Sequence, residues 1–167
     1  MDKNANIKRL KEIDHELVLY QNITALLGWD QETNMPERGV EGRSEQLSLV
    51  QGVLHDKITS SEIGDLLEGL GASEQQPSGD SSFSDPERGL IREYFREYNR
   101  EKKLPKKLVQ EIAVVTSKAQ PAWAAARKSQ DYSIFQPHLE KIVELTRETT
   151  KCLGYKDHPY DPLIDQY

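Results

Sequence analysis

Apolar residues recur at three- and four-residue steps along almost the whole chain, and no segment alternates strictly with period two between hairpin turns. That spacing puts one apolar stripe on a helix, whereas a strand needs every second residue. The fold class is therefore all-α, an antiparallel helical array of about six helices. The first stripe, Ile7, Leu10, Ile13, Leu17, Tyr20, Thr24 and Leu27, predicts a long helix from Asn6 to about Gly28. Leu47, Val50, Val53 and Leu54 predict a shorter one between about Gly42 and Asp56, with Pro36, Gly39 and Gly42 in the polar stretch before it. No repeat of constant period relates the helices.

Thr59 and Glu62 have capping-box spacing and open a short helix to about Leu70. Asp85 and Pro86 read as an N-cap and a first-turn residue, ahead of Leu90, Ile91, Tyr94, Phe95 and Tyr98. Pro105 starts a further stripe, Leu108, Ile112, Val115, Ala119 and Trp123, with a kink or break expected at Pro121. Ser133 and Gln136 repeat the capping-box spacing, and the helix after them runs to Leu153 before Gly154. Between Gly71 and Asp85 the chain is mostly Gly, Ser, Pro, Gln and acid, with Phe83 its one large apolar residue. The organisation expected is thus N-terminal helices over 1–70, a flexible loop or linker over 71–84, and a second helical group over 85–167. At Tyr167 an apolar run has just begun, as if the chain were cut there.

Charge narrows the partners. The 28 acidic and 22 basic residues give a net charge of −6, and the basic residues are interleaved with acids, so neither nucleic acid nor an anionic membrane is an expected partner. The first sixteen residues carry scattered charges and no apolar run, unlike a signal peptide or a spanning helix. Cys152 is the one cysteine, which points to a reducing compartment, the cytoplasm.

Residues for chemistry are sparse. No two of His15, His55, His138 and His158 have the i, i+4 spacing with which one helix face holds zinc. His15–Glu16 starts like HExxH, but the fifth position is Leu19. Surface or capping roles fit the histidines, and no phosphate loop, nucleophile elbow or Cys–His pairing is present. No catalytic, metal-binding or cofactor-binding residue is assigned. The segment LGWDQETNMPERG, Leu27–Gly39, stands out by placing Trp29, Asp30 and Thr33 at a helix end beside a proline. A packing role would have Trp29 plug the core while Asp30 and Thr33 organise the helix terminus. A functional role would have this corner line a cleft.

The same segment resembles the N-terminal signature of the carboxypeptidase Taq family, in Leu27, Gly28, Trp29, Asp30, Thr33, Met35 and Pro36. The resemblance continues in order through Arg43 and Leu47, His55, SSEIGDLLEGL from Ser60, KKLPKKLV from Lys102, WAAAR from Trp123, FQPHLEKIVEL from Phe135 and the final LGYKDHPYDPLIDQY. It implies a much longer, cytosolic, nearly all-helical enzyme that removes C-terminal residues from peptides with one divalent metal, zinc or cobalt. In that family an HExxH helix and a later glutamate hold the metal, and no residue here matches them. The chain is then the N-terminal part of a larger cleft-type fold, inactive by itself and contributing wall and lid to the substrate groove. Trp29, Asp30, Thr33 and Arg43 are the candidate groove or lid positions. The alternative is a stand-alone helical interaction or dimerisation module derived from that scaffold. Apolar stripes left uncovered also predict a homo-oligomer.

Overall fold

The computed structural model describes residues 2–164; the expected cut at Tyr167 lies outside them. Seven helices follow in order: α1 Lys3–Thr33, α2 Val40–Ile58, α3 Ser61–Gly69, α4 Asp85–Glu101, α5 Lys106–Ser129, α6 Gln136–Leu153 and the single turn α7 Asp161–Ile164. Short 3₁₀ turns stand at Glu37–Gly39 and Tyr132–Ile134. No strand occurs among the described residues, and the fold is all-α as its periodicity requires.

The chain forms two compact units, each built from two stretches. The first comprises the residues up to Asn22 together with Leu54–Lys103. Its core joins the α1 stripe Ile7, Leu10, Ile13 and Leu17 to Ile58, to Ile63, Leu66, Leu67 and Leu70, and to Ile91 and Tyr94. Leu10, Ile63, Leu70 and Ile91 are fully buried. Ion pairs rim this core, Arg9 to Glu62 at 2.7 Å, Lys11 to Glu87 at 2.8 Å and Lys57 to Glu16 at 2.8 Å. All are exposed enough to stabilise little individually. Buried His55 meets the Glu101 backbone carbonyl through Nε2 at 3.1 Å, near the end of α4, which is a capping role.

Residues 71–84 are irregular but hydrogen-bonded. The Asp80 amide donates to the Leu70 carbonyl at 3.0 Å and the Ala72 amide to the Leu67 carbonyl at 2.9 Å, and Lys3 pairs with Asp80.

Two of the expected caps are displaced by one residue. Ser60, not Thr59, caps α3 and accepts from the Ile63 amide at 3.4 Å, while the Thr59 hydroxyl donates back to the His55 carbonyl at 2.6 Å. Ser84, not Asp85, caps α4: its amide and its hydroxyl both donate to the Glu87 carboxylate, at 3.1 and 2.7 Å. In each place two neighbouring residues are good caps; Glu62, the partner Thr59 would need, is engaged by Arg9, whereas Ser84 stands three residues before the Glu87 that it bonds. At α6 the expected Ser133–Gln136 box is absent. Asp131 instead accepts from the Ser133 amide at 2.9 Å and hydroxyl at 2.6 Å to form a 3₁₀ turn, and Gln136 bonds forward to Glu140 at 2.8 Å.

Tyr94 gives the first unit a pH dependence. It is 6% exposed, and its hydroxyl donates to Asp14 at 2.9 Å. Burial foremost, and then the Asp14 hydrogen bond, push its pKa up from the ordinary value. Above about pH 10 the unfolded chain loses this proton while the folded chain keeps it, so unfolding releases a proton and stability falls as pH rises. Below about pH 10 the contribution is fully present. Tyr94→Phe is expected to cost about 1 kcal/mol at neutral pH and to flatten the loss between pH 9 and pH 11, measured by urea unfolding across about that range.

Candidate functional site

The second unit comprises Ile23–Val53 and the chain from Leu104 onward. Here α5 and α6 pack as a hairpin across the Tyr132–Ile134 turn. Gln130 ends α5 in the left-handed region at φ 55°, and Lys141 pairs with Glu111 at 3.0 Å.

Pro121 lies inside α5, yet the helix is continuous from Lys106 to Ser129, which corrects the expected break. A proline has no amide to donate to the carbonyl four residues earlier, here that of Ser117. The Gln31 side chain supplies the missing donor: its Nε2 donates to the Ser117 carbonyl at 2.7 Å, and the buried Ser117 hydroxyl donates to Gln31 Oε1 at 2.9 Å. Gln31→Ala is expected to cost about 1–3 kcal/mol by leaving these groups unpaired. In a Pro121→Ala background the α5 backbone regains its own donor, so the same substitution should cost less. A double-mutant cycle by urea unfolding measures that coupling.

Gln31 belongs to the segment that carries the candidate residues. α1 does not stop at Gly28; it runs to Thr33, and one helical glycine costs about 1 kcal/mol, too little to end a 31-residue helix. The terminus is organised from within. The Asn34 and Met35 backbone amides both donate to the Asp30 carbonyl at 2.9 Å, the Thr33 hydroxyl to the Trp29 carbonyl at 2.7 Å, and the Asn34 side-chain Nδ2 to the Thr33 hydroxyl at 2.9 Å.

Arg43, on α2, crosses back to this terminus. Its guanidinium pairs with the Asp30 carboxylate at 2.5 Å, donates to the Leu27 carbonyl and reaches Gln46 Oε1 at 3.0 Å. The Arg43 side chain is 11% exposed and that of Asp30 37%. The structure therefore joins Asp30 and Arg43 directly and Thr33 to the same turn through backbone bonds. Trp29 is 59% exposed, so it does not plug the core. It projects from the part of α1 where Ile23 and Leu26 are also exposed.

A depression of about 700 Å³ opens nearby, lined among others by Gln31, Met35, Val40, Pro121, Ala124 and Ile134. Trp29, Asp30, Thr33 and Arg43 stand outside that lining. It brings the Leu27–Gly39 segment together with the WAAAR stretch. Neither the Gln31–Ser117 bond nor the Arg43–Asp30 pair had a signal in local spacing, because the partners are 86 and 13 residues apart.

Arg43→Met removes every one of the guanidinium bonds while keeping an apolar stem, and is expected to lower stability by about 1.5–3 kcal/mol. Arg43→Lys should recover only part of this, since a single ammonium cannot match three donors in a fixed plane. Urea midpoints of the two variants check both statements.

The described residues contain no group of three or more His, Cys, Asp or Glu side chains placed to hold a metal ion. No helix among them is long and apolar enough to cross a membrane.

The family model described as carboxypeptidase Taq (M32) metallopeptidase matches residues 9–167. The chain belongs to this family. Thermostable carboxypeptidase 1 of Pyrococcus furiosus is 30% identical over 165 residues, which is 99% of this chain and 32% of that protein. Carboxypeptidase 1 of Bacillus subtilis is 30% identical over 161 residues, 95% of this chain and 30% of that protein. The crystal structure of BsuCP superposes with a TM-score of 0.84 at 29% identity, covering 99% of this chain and 31% of its own. The chain thus spans about a third of the length of the M32 relatives it matches. This accounts for the ordered run of resemblances from Leu27 onward and for the helical fold.

Proposed function

We propose that this chain forms wall and lid of the substrate groove of a metal-dependent carboxypeptidase that releases C-terminal amino acids from peptides in the cytoplasm, and that it is not itself catalytic. The observation that carries the reading is the Trp29 corner: a large aromatic side chain left 59% exposed on a helix terminus fixed by Arg43 and Asp30. An exposed aromatic on a rigid support suits contact with a passing peptide, because little conformational freedom is lost when it binds.

A resident zinc or cobalt ion does not fit the described residues. Such sites need three or four His, Cys or carboxylate donors converging on one point, and no such group is present among them. In this reading the metal, its donors and the general base belong to sequence outside the match, and no chemical step is assigned to residues 2–164. Trp29, Asp30, Thr33 and Arg43 then act on substrate access and orientation.

Kinetics of Trp29→Ala and Asp30→Asn in the full-length enzyme test this. A fall in kcat/KM with little change in the unfolding midpoint supports the groove position. A changed midpoint with unaltered kinetic constants removes it and leaves a packing role. Residues 1–167 alone, assayed with added zinc or cobalt, are expected to bind no stoichiometric metal and to release no amino acid from unblocked peptides. Sequential C-terminal release by this chain would overturn the non-catalytic assignment.

A further inference from the structure

We propose that Gln31 is a positioning residue for substrate binding: it clamps the end of α1 to the Pro121 turn of α5 and so fixes where Trp29 stands in the groove of the full-length enzyme. The proposal rests on the groove-wall reading and adds to it the contact that holds the wall in place. Successive helical residues are about 100° apart, so Trp29 and Gln31 lie about 200° apart around α1, with Asp30 between them. Gln31 and Pro121 both line the depression of about 700 Å³, and Trp29 stands outside it. A clamp at Gln31 therefore holds one face of the helix to α5 and turns the opposite face, where Trp29 is 59% exposed, outward.

Supplying the donor that Pro121 lacks would take only the Gln31 nitrogen, yet both ends of the side-chain amide are used at one residue. Hydroxyls on α5 otherwise bond back within their own helix, Thr116 to the Ile112 carbonyl at 2.8 Å and Ser129 to the Ala125 carbonyl at 2.8 Å. The Ser117 hydroxyl turns to Gln31 instead. Inside a helix a carbonyl accepts from the amide four residues on, so the one left open by the proline marks a single turn of α5, and α1 is registered against that turn. Neighbouring residues close a ring of the same helices with α2: Lys118 on α5 pairs with Glu41 on α2 at 2.8 Å, and Arg43 on α2 with Asp30 on α1 at 2.5 Å. The Lys118–Glu41 pair is exposed and weak. Ser117 is buried, which makes its bonds to Gln31 the firmer hold on the α5 side.

Kinetics of the full-length enzyme on an unblocked peptide separate position from donor supply, in Pro121→Ala and in Pro121→Ala combined with Gln31→Ala. Alanine at 121 returns an amide to the Ser117 carbonyl, so the double variant keeps α5 bonded and loses the link to α1. Loss of folded enzyme lowers kcat and leaves KM alone, whereas a displaced wall weakens binding of ground state and transition state alike and raises KM. The double variant is expected to show KM raised roughly fivefold over Pro121→Ala, with kcat within about twofold and faster hydrogen exchange at the Asn34 and Met35 amides. Equal KM in the two variants would overturn the proposal, and Gln31 would then only supply the missing donor. Trp29→Ala tells that failure from failure of the groove-wall reading. Where Trp29→Ala lowers kcat/KM, the groove position stands and only the role of Gln31 is lost. Kinetic constants unaltered by Trp29→Ala remove the groove position and this proposal with it.

Discussion

Gly79→Val is expected to destabilise the first unit by about 3 kcal/mol or more, the sum of two separable costs. Gly79 has φ +67°, a conformation that costs an L-residue about 1–2 kcal/mol. A Cβ at this position would also lie 2.7 Å from the Leu70 carbonyl oxygen and 3.1 and 3.2 Å from the fully buried Ile91 side chain. Neither neighbour can yield easily, since the Leu70 carbonyl accepts from the Asp80 amide at 3.0 Å and Ile91 is enclosed in the core. Forcing a larger group into such a place costs about 1–3 kcal/mol more. Gly154→Ala separates the two contributions. That glycine has φ +81° and ψ 150°, a region almost reserved to glycine, but nothing within 4 Å of an added Cβ, so only a conformational cost of about 1–3 kcal/mol should appear. Hydrogen exchange of amides in α3 and α4 reads the Gly79 effect where it acts. A Gly79→Val loss no larger than that of Gly154→Ala would mean that the 71–84 segment shifts without cost.

Gly79 also marks where sequence reading stops. The composition of 71–84 reads as a flexible loop or linker; in the structure the segment is irregular and hydrogen-bonded. The bonds that draw it onto the Leu70 carbonyl depend on residues brought together only when α3 and α4 pack. The same boundary separates legible from illegible features elsewhere. The buried stripe Ile7, Leu10, Ile13 and Leu17 was readable because one helix face and one core suffice to produce the periodicity. Helix termini shifted by a residue or more wherever two capping residues were adjacent, because the choice between Thr59 and Ser60 rests on which side chain reaches an amide. Gln31 gave no local sign that it would replace the donor missing at Pro121, and so the break expected there does not occur. At the candidate site the sequence singled out Trp29, Asp30, Thr33 and Arg43, and the structure brings the last three into one hydrogen-bonded corner. It could not reveal that Trp29 faces outward, since an aromatic residue at a helix end is most simply read as a packing residue.

Leu10→Ala is expected to cost about 3–5 kcal/mol, and Leu26→Ala, on the same helix, about 0.5 kcal/mol or less. The residue type and the secondary structure are identical, so the contrast isolates burial. Leu10 is 0% exposed among Ile63, Leu70 and Ile91, which are equally enclosed and come from α3, the residue that caps it, and α4. Deleting its side chain removes apolar surface from a close-packed interior and leaves a cavity that the surrounding core side chains fill only in part. Leu26 is 61% exposed, so little of its surface is withdrawn from water when the chain folds. Urea unfolding followed separately at amides of the first and second units checks both values. Exposure also makes Leu26→Ala informative in the full-length enzyme, where a stability loss well above 0.5 kcal/mol would mean that sequence beyond this chain covers the outward face of α1 beside Trp29. A small loss there, with lowered kcat/KM, would instead place Leu26 with Trp29 on the open wall of the groove.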